Sequence, residues 1–255
     1  MTSNEGRRPL TRLAAGLTVV TVLCWAWIVP MARDMYGAMT GPSAWMMTMT
    51  WDATHVLLLW AMWAVMMAGM MLPSAWPLLR LYALAAERSP DRGTATLRAV
   101  AVGAGYLLVW MLFSVCATLL QRALSRTLLL TPMMEIATPR AAATLLLLAG
   151  VYQFTPLKAA CLRLCRSPVS IVAHRWRAGA AGALRMGLEH GLYCLGCCWA
   201  LMLLLFVGGV MNLAVIAVIT AVVLIERLAP FGAQSSRATG ALLVALGAWA
   251  WAFTR

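Results

Sequence analysis

Residues 55–76, HVLLLWAMWAVMMAGMMLPSAW, form an apolar stretch that contains no Asp, Glu, Lys or Arg. A helix needs roughly 20 mostly apolar residues to cross the hydrocarbon core of a bilayer, so this stretch is long enough to span a membrane. Gly69 permits close approach of a neighbouring helix, and Pro73 predicts a kink near the end of the span. The stretch therefore predicts a transmembrane helix, and the rest of the chain repeats its pattern.

The composition of the whole chain agrees with a membrane protein. Of its 255 residues, 63% are hydrophobic and 11% are charged, which excludes an ordinary soluble globular protein. The apolar runs are long and continuous, whereas strands of a transmembrane barrel alternate over about ten residues, so helices are predicted. We expect an all-α, polytopic transmembrane helical bundle that forms a single domain over residues 1–255. About seven spans are predicted, at residues 13–30, 54–77, 97–120, 139–157, 187–208, 211–227 and 238–254.

The positions of the basic residues predict the orientation of this bundle. The net charge is +12, but no nucleic-acid partner is expected because the Lys and Arg residues concentrate in alternate loops. The side with most of them is cytoplasmic by the positive-inside rule, which places the N-terminus inside and the C-terminus outside. Membrane lipid is then a partner, with attraction to anionic headgroups a secondary expectation. The basic residues on the outer side are Arg33, Arg122, Arg126, Arg140 and Arg255.

The stretch HGLYCLGCCWALM, residues 190–202, places three cysteines and a histidine inside the fifth predicted span. On a helix, His190, Cys194 and one or both of Cys197 and Cys198 share a face. Soft sulfur ligands select Cu(I), and ionisable groups within a span usually face the bundle interior and mark function. We therefore predict a metal site from these four residues. The alternative is that the cysteines pack as small hydrophobic side chains and that His190 forms a hydrogen bond with a neighbour.

The second predicted span carries methionines at helical spacing. Met62, Met66 and Met70 form one stripe, and Met67 and Met71 form an adjacent stripe. This span runs inward and the fifth runs outward, so the methionines of MMAGMM and the cysteine group both fall near the middle of the membrane. We predict that Met66, Met67, Met70 and Met71 supply thioether ligands to the metal. The alternative is that methionine fills gaps between helices.

A second cysteine group, CLRLC, lies at the cytoplasmic end of the fourth predicted span. If this segment is helical, Cys161 and Cys165 share a face and are predicted to bind a soft metal at the inner mouth. Unrelated buried thiols or exposed reduced thiols are the alternative, and a structural disulfide is not expected in a reducing cytosol. Cys24 and Cys116 are isolated along the chain and are interpreted as packing residues.

The acidic residues give no sign of an active site. The eight Asp and Glu residues are scattered, and Glu226 is interpreted as an interfacial pair with the adjacent Arg227. The sequence has no Gly-rich phosphate loop, no H-E-x-x-H and no G-x-S-x-G. An enzyme is therefore not predicted.

Three motifs carry a resemblance to a known family: MMAGMMLPSAWPLL, GVYQFTPLKAACLRLCRSP and HGLYCLGCCWALMLLLFVGGVMNL. From about Trp60 to Glu226, the sequence resembles a bacterial family of predicted metal-binding, copper-chaperone-like integral membrane proteins. The resemblance implies a small multi-pass protein of the bacterial inner membrane that handles a soft metal, with copper preferred. It also implies that the methionine pairs and the two cysteine groups are signature residues.

The preferred functional hypothesis is the binding and transfer of Cu(I), as a chaperone or passive transporter, with a copper-handling protein as partner. Another soft metal is not excluded. The outer methionines Met46, Met47 and Met49 would receive or release the ion. The alternative is an intramembrane thiol–disulfide oxidoreductase that uses the Cys194-x-x-Cys197 pair. That activity needs a second cysteine pair in the outer loops, which the sequence lacks.

Overall fold

The structure is a computed structural model that describes residues 7–37, 51–89, 92–131 and 133–253, and these residues are almost entirely helical. Between α4 and α5 they contain one isolated antiparallel bridge, which joins Leu130 to Ile136. Two short 3-10 helices, Leu72–Ala75 and Arg92–Thr94, precede α3 and α4. The α-helices are α1 (Arg7–Met35), α2 (Ala53–Met71), α3 (Trp76–Glu87), α4 (Ala95–Arg126), α5 (Pro139–Tyr152), α6 (Pro156–Cys165), α7 (Pro168–His174), α8 (Gly179–Leu203), α9 (Leu205–Gly208), α10 (Leu213–Leu228) and α11 (Gly232–Phe253).

Several of these helices are long and apolar enough to cross a membrane. In the described residues, length and composition qualify four segments, or five if the bent pair α5 and α6 counts as one span. The predicted spans 211–227 and 238–254 coincide with α10 and α11. These two helices do not meet the same criteria of length and composition, and α10 is only 16 residues long. The all-α architecture is confirmed, whereas the number of spans and the orientation stay predictions. The four segments are Leu10–Met35, Ala53–Glu87, Ala95–Arg126 and Gly179–Gly208.

The second predicted span begins as expected and continues further than expected. Asp52 caps α2 because its side chain accepts a hydrogen bond from the backbone N–H of His55 at 2.7 Å. At Pro73 the helix tightens into the 3-10 turn, since proline has no backbone N–H to donate. The chain then stays helical through α3 to Glu87, well beyond the predicted end at residue 77.

The fourth predicted span, 139–157, is divided into two helices. Helices α5 and α6 meet at an angle of 64°. Thr155 starts the second helix, accepting a hydrogen bond from the backbone N–H of Lys158 at 3.3 Å, and Pro156 occupies its first position. This cap was visible in the sequence as Thr-Pro. The bend turns the CLRLC segment out of the line of α5 and lays it against α8.

Glycines allow α8 to pack with its backbone directly against α4. A Cβ at Gly105 would meet the carbonyl of Leu184, and one at Gly187 would meet the backbone of Val102. Gly191, four residues after Gly187 on α8, likewise lies against Val109 and the carbonyl of Tyr106, and small residues four apart permit such close approach between helices in a membrane. The contact fixes the height and rotation of α8, which carries the cysteine and histidine residues.

Candidate metal centre

Helix α8 turns all four predicted ligands into the protein. The exposed fraction is 2% for His190, 0% for Cys194, 2% for Cys197 and 1% for Cys198. The thiols of Cys197 and Cys198 both approach the backbone carbonyl of Cys194, at 3.1 and 2.8 Å. The shared buried face predicted from the spacing is therefore present, and its sulfurs gather around one turn of the helix.

The bend at Pro156 brings a cysteine of α6 to this turn. The Sγ atoms of Cys165 and Cys197 are 3.9 Å apart, and both side chains are buried. Both residues are free cysteines. Cys161 lies on the same side of α6 and packs against the backbone of α8, since a Cβ added at Gly196 would come 2.7 Å from its Sγ. The structure thus joins the two cysteine groups of the sequence through the pair Cys165 and Cys197, which we call the thiol pair.

An arginine outside the predicted set of ligands lies next to these thiols. The Nη1 of Arg227 donates to the Sγ of Cys194 at 2.8 Å and to the hydroxyl of Tyr106 at 3.2 Å, and it also contacts the hydroxyl of Ser74. Its Nη2 lies 3.4 Å from Nε2 of His190. The Arg227 side chain is buried. A guanidinium in this position supplies a positive charge and directed donors to the sulfur-rich region.

The interpretation of Glu226 and Arg227 as an interfacial pair is wrong. Glu226 forms a salt bridge with Lys158 at 2.7 Å, and the two side chains are only 2% and 1% exposed. Gln153 also accepts from the Lys158 ammonium group. Consecutive residues of a helix point about 100° apart, so Glu226 and Arg227 reach different neighbours. The salt bridge ties α6 to α10 and so connects the helices that carry Cys165 and Arg227.

The methionines of α2 are buried beside this region. Met66, Met67, Met70 and Met71 are each fully buried. The connection to the cysteines uses the backbone carbonyl of Met71, which accepts a hydrogen bond from the hydroxyl of Tyr106 at 3.0 Å. That same hydroxyl lies 3.1 Å from the Sγ of Cys194. Tyr106 on α4 therefore links the methionine helix to the cysteine helix, and the thioethers themselves are not part of this contact.

A small cavity gives access to the site. It has a volume of about 160 Å³ and is lined by Cys165, His190 and Arg227, among others. Ser74 and Arg166 also line it, so the wall of the cavity carries several polar side chains. A chamber of this kind has room for water and for a small ion next to the thiol pair.

The arrangement offers a metal ion two thiols. Among the described residues, no group of three or more His, Cys, Asp or Glu is placed to hold a metal ion. Two sulfurs that each lie about 2.3 Å from one ion, as in zinc thiolates, can be separated by at most about 4.6 Å. The 3.9 Å separation of the thiol pair falls within this limit. Two buried cysteine sulfurs are a donor set that selects soft ions such as Cu(I).

The two remaining cysteines lie on α1 and α4. Cys24 is buried in α1, where its Cβ would be 3.0 Å from a Cβ added at Gly69 of α2, and Cys116 is exposed on α4. The interpretation as a packing residue agrees with the burial of Cys24, whereas Cys116 is exposed and packing does not explain it. The outer methionines Met46, Met47 and Met49 fall outside the described residues.

Fold and site together define an apolar, all-helical protein with a buried pair of free thiols next to an arginine. The sequence profile of the PpoB2 copper chaperone family matches residues 60–250, about three quarters of the chain, and the chain belongs to this family. The predicted resemblance to a copper-chaperone-like family is thereby confirmed. No curated protein and no solved structure matches the chain.

Proposed function

We propose that this protein is a multi-pass protein of the bacterial inner membrane that binds Cu(I) and delivers it to a copper-handling partner protein. The observation that carries the proposal is the 3.9 Å separation of the Sγ atoms of Cys165 and Cys197 inside the protein. Membership in a copper chaperone family supports copper as the metal. The long apolar helices support a membrane location.

The thiol pair would hold Cu(I) by its two sulfurs. Two thiolates and one Cu(I) ion together carry one negative charge, and burying an isolated charge is costly unless a counter-charge is near. Arg227, which contacts Cys194 on the same turn of α8, supplies a positive charge close to the pair. Cys194, whose Sγ accepts a hydrogen bond from Arg227 at 2.8 Å, would hold the arginine beside the pair rather than bind the ion.

The cavity at Cys165 and the methionines of α2 provide two approaches to the thiol pair. Thioethers bind Cu(I) more weakly than thiolates do, so Met66, Met67, Met70 and Met71 would pass the ion rather than retain it. On the other side, the cavity lined by Cys165 and His190 would pass it to the partner. In the predicted orientation this cavity faces the cytoplasm and the start of α2 faces outward. The sequence contains no phosphate-binding loop, so transfer would follow the copper gradient or the affinity of the partner.

The proposal is tested by a Cu(I) competition titration of the protein purified without oxygen, with a coloured Cu(I) chelator as competitor. The wild-type protein should bind one Cu(I) tightly, and the variants Cys165→Ser and Cys197→Ser should each lose that ion. Cys116→Ser is the matched control, because this thiol is exposed on α4 and distant in sequence from both groups. Wild-type affinity in either pair variant would overturn the proposal.

The same samples test the alternative function, a thiol–disulfide oxidoreductase. A thiol–disulfide oxidoreductase would cycle between dithiol and disulfide with a quinone and would have no need of copper. The rate of quinone reduction by the copper-free protein is therefore measured, because only the oxidoreductase would show it. Steady quinone reduction with an added dithiol, which reduces the protein disulfide again after each turnover, together with no bound Cu(I), would replace the copper proposal with the oxidoreductase.

A further inference from the structure

A second cavity lies where α5, α6 and α11 meet, and its wall includes Gln153, which accepts a hydrogen bond from Lys158. Its volume is about 720 Å³. Its wall includes three arginines and no acidic residue, an unusual environment beside apolar helices. We call it the arginine cavity. The polar residues that line it are Gln153, Arg163, Arg166, Ser167, Ser236 and Arg237.

Two of the three arginines have no anionic partner within the described residues. Arg163 and Arg237 are exposed at the cavity and make no ion pair in the described part of the chain. Arg166 is held in place because it donates to the backbone carbonyls of Glu226 at 2.6 Å and of Pro230 at 3.0 Å. A guanidinium has five N–H donors, so these two contacts leave others for a ligand. Three positive charges that face one space call for an anion.

A buried donor at the wall also lacks a partner. Gln153 is only 4% exposed, and its Nε2 forms no hydrogen bond. Its Oε1 accepts from Lys158 and, at 3.2 Å, from Ser236. The amide orientation is fixed by the ammonium group, which requires the oxygen, so the free NH2 group is a real donor. A buried donor without a partner is destabilising, and a ligand with oxygen acceptors would supply the missing partner.

Apolar side chains next to the arginines point to the rest of the ligand. Phe154 and Leu162 line the cavity together with the arginines, and Phe154 is 53% exposed. Aromatic and aliphatic side chains beside a group of arginines match an amphiphile that has an anionic head and an acyl chain. A volume of about 720 Å³ also exceeds what a bare phosphate ion fills.

We propose that the arginine cavity binds a phosphate group, and that an anionic phospholipid is its source. Arg163, Arg166 and Arg237 would neutralise the phosphate oxygens, and the free amide of Gln153 would donate to one of them. The phospholipid as source rests on the membrane location proposed above. Because α6 carries both Arg163 and Cys165, a lipid bound here would also steady the helix of the thiol pair.

Native mass spectrometry of the full-length, detergent-purified protein tests this inference. The probes are phosphatidylglycerol, phosphatidylcholine and inorganic phosphate, and the variant is Arg163→Gln/Arg237→Gln, which leaves the carbonyl contacts of Arg166 intact. The matched control is Arg80→Gln/Arg88→Gln, which removes the same charge from two exposed arginines away from the cavity. Copper content is measured on every sample, so a failure here is distinguished from a failure of the copper proposal.

The wild type and the control should retain one phosphatidylglycerol at least tenfold more strongly than phosphatidylcholine. The cavity variant should lose this preference and keep its Cu(I). Inorganic phosphate that binds the wild type but not the cavity variant would support the phosphate site with the free ion as its source. Equal retention of phosphatidylglycerol by wild type and cavity variant, or no preference among the three probes, would overturn the inference.

Discussion

The buried salt bridge between Lys158 and Glu226 gives the sharpest prediction about stability. The ion pair has a separation of 2.7 Å and is almost completely buried. Removing one partner of a buried ion pair costs about 3–5 kcal/mol, because the other charge is left uncompensated. Lys158→Met should lie at the upper end of this range, since Oε1 of Glu226 already lacks a hydrogen-bond partner. Glu226→Leu should lie at the lower end, because Gln153 still accepts from the lysine.

The double variant Lys158→Met/Glu226→Leu separates the charge effect from loss of packing. Replacing both partners of a buried pair by apolar residues is often neutral or stabilising by about 1–4 kcal/mol. The double variant should therefore unfold near the wild type, although each single variant is less stable by a factor of roughly 100 to several thousand, at about 1.4 kcal/mol per factor of ten.

Reversible unfolding in mixtures of dodecyl maltoside and sodium dodecyl sulfate, followed by circular dichroism, measures these differences. Arg80→Met is the control, because this arginine is exposed and its loss should change the free energy of unfolding by less than about 0.5 kcal/mol. Single variants within 1 kcal/mol of the wild type, or a double variant as unstable as the worse single one, would refute the assignment of a buried, charged pair.

Three further predictions concern packing, charge and oxidation. Gly187→Ala should lower the free energy of unfolding by about 1–3 kcal/mol because its methyl group meets the backbone of α4, whereas Gly16→Ala, which faces open space, should not lower it. Arg227→Met should weaken Cu(I) binding about 10- to 100-fold in a competition titration, as expected for a charge-assisted hydrogen bond of about 1.5–3 kcal/mol; unchanged affinity would remove the arginine from the site. Diamide should oxidise the thiols of Cys165 and Cys197 to a disulfide and is itself reduced to the hydrazine. The disulfide should block Cu(I) binding until dithiothreitol is added. Peptide mass spectrometry locates the cross-link, and a disulfide between other cysteines would count against the thiol pair.

Local patterns in the sequence were sufficient for the helices and for one face of the site. The four-residue spacing of His190 and Cys194, with Cys197 one turn later, correctly predicted a shared buried face because helical periodicity is a local property. The apolar stretch at residues 55–76 correctly predicted a long helix. Thr155 followed by Pro156 is a local helix-start signal inside the predicted span 139–157, and the continuous hydropathy across it conceals the bend between α5 and α6.

Contacts between distant segments could not be obtained in the same way. Arg227 lies 33 residues from Cys194 and meets it only because α10 packs beside α8. Its position beside Glu226 at a helix end suggested an ion pair exposed to the interface, and nothing in the local pattern contradicts that interpretation. Lys158 likewise is not among the five basic residues placed on the outer side and so belongs to the predicted cytoplasmic charge, yet it is buried against Glu226. Buried charges are identified by their partners, and those partners are specified by tertiary packing.

X-ray absorption spectroscopy at the copper edge is the most direct test of the claim that Cys165 and Cys197 bind one Cu(I) ion together. The spectrum of the loaded wild-type protein should show Cu(I) with only sulfur in its first shell. Cys165→Ser and Cys197→Ser should each lose the bound ion or replace a sulfur by a lighter atom, and Cys116→Ser should leave the spectrum unchanged. A first shell of nitrogen or oxygen in the wild type, or a sulfur shell that survives both substitutions, would contradict the account.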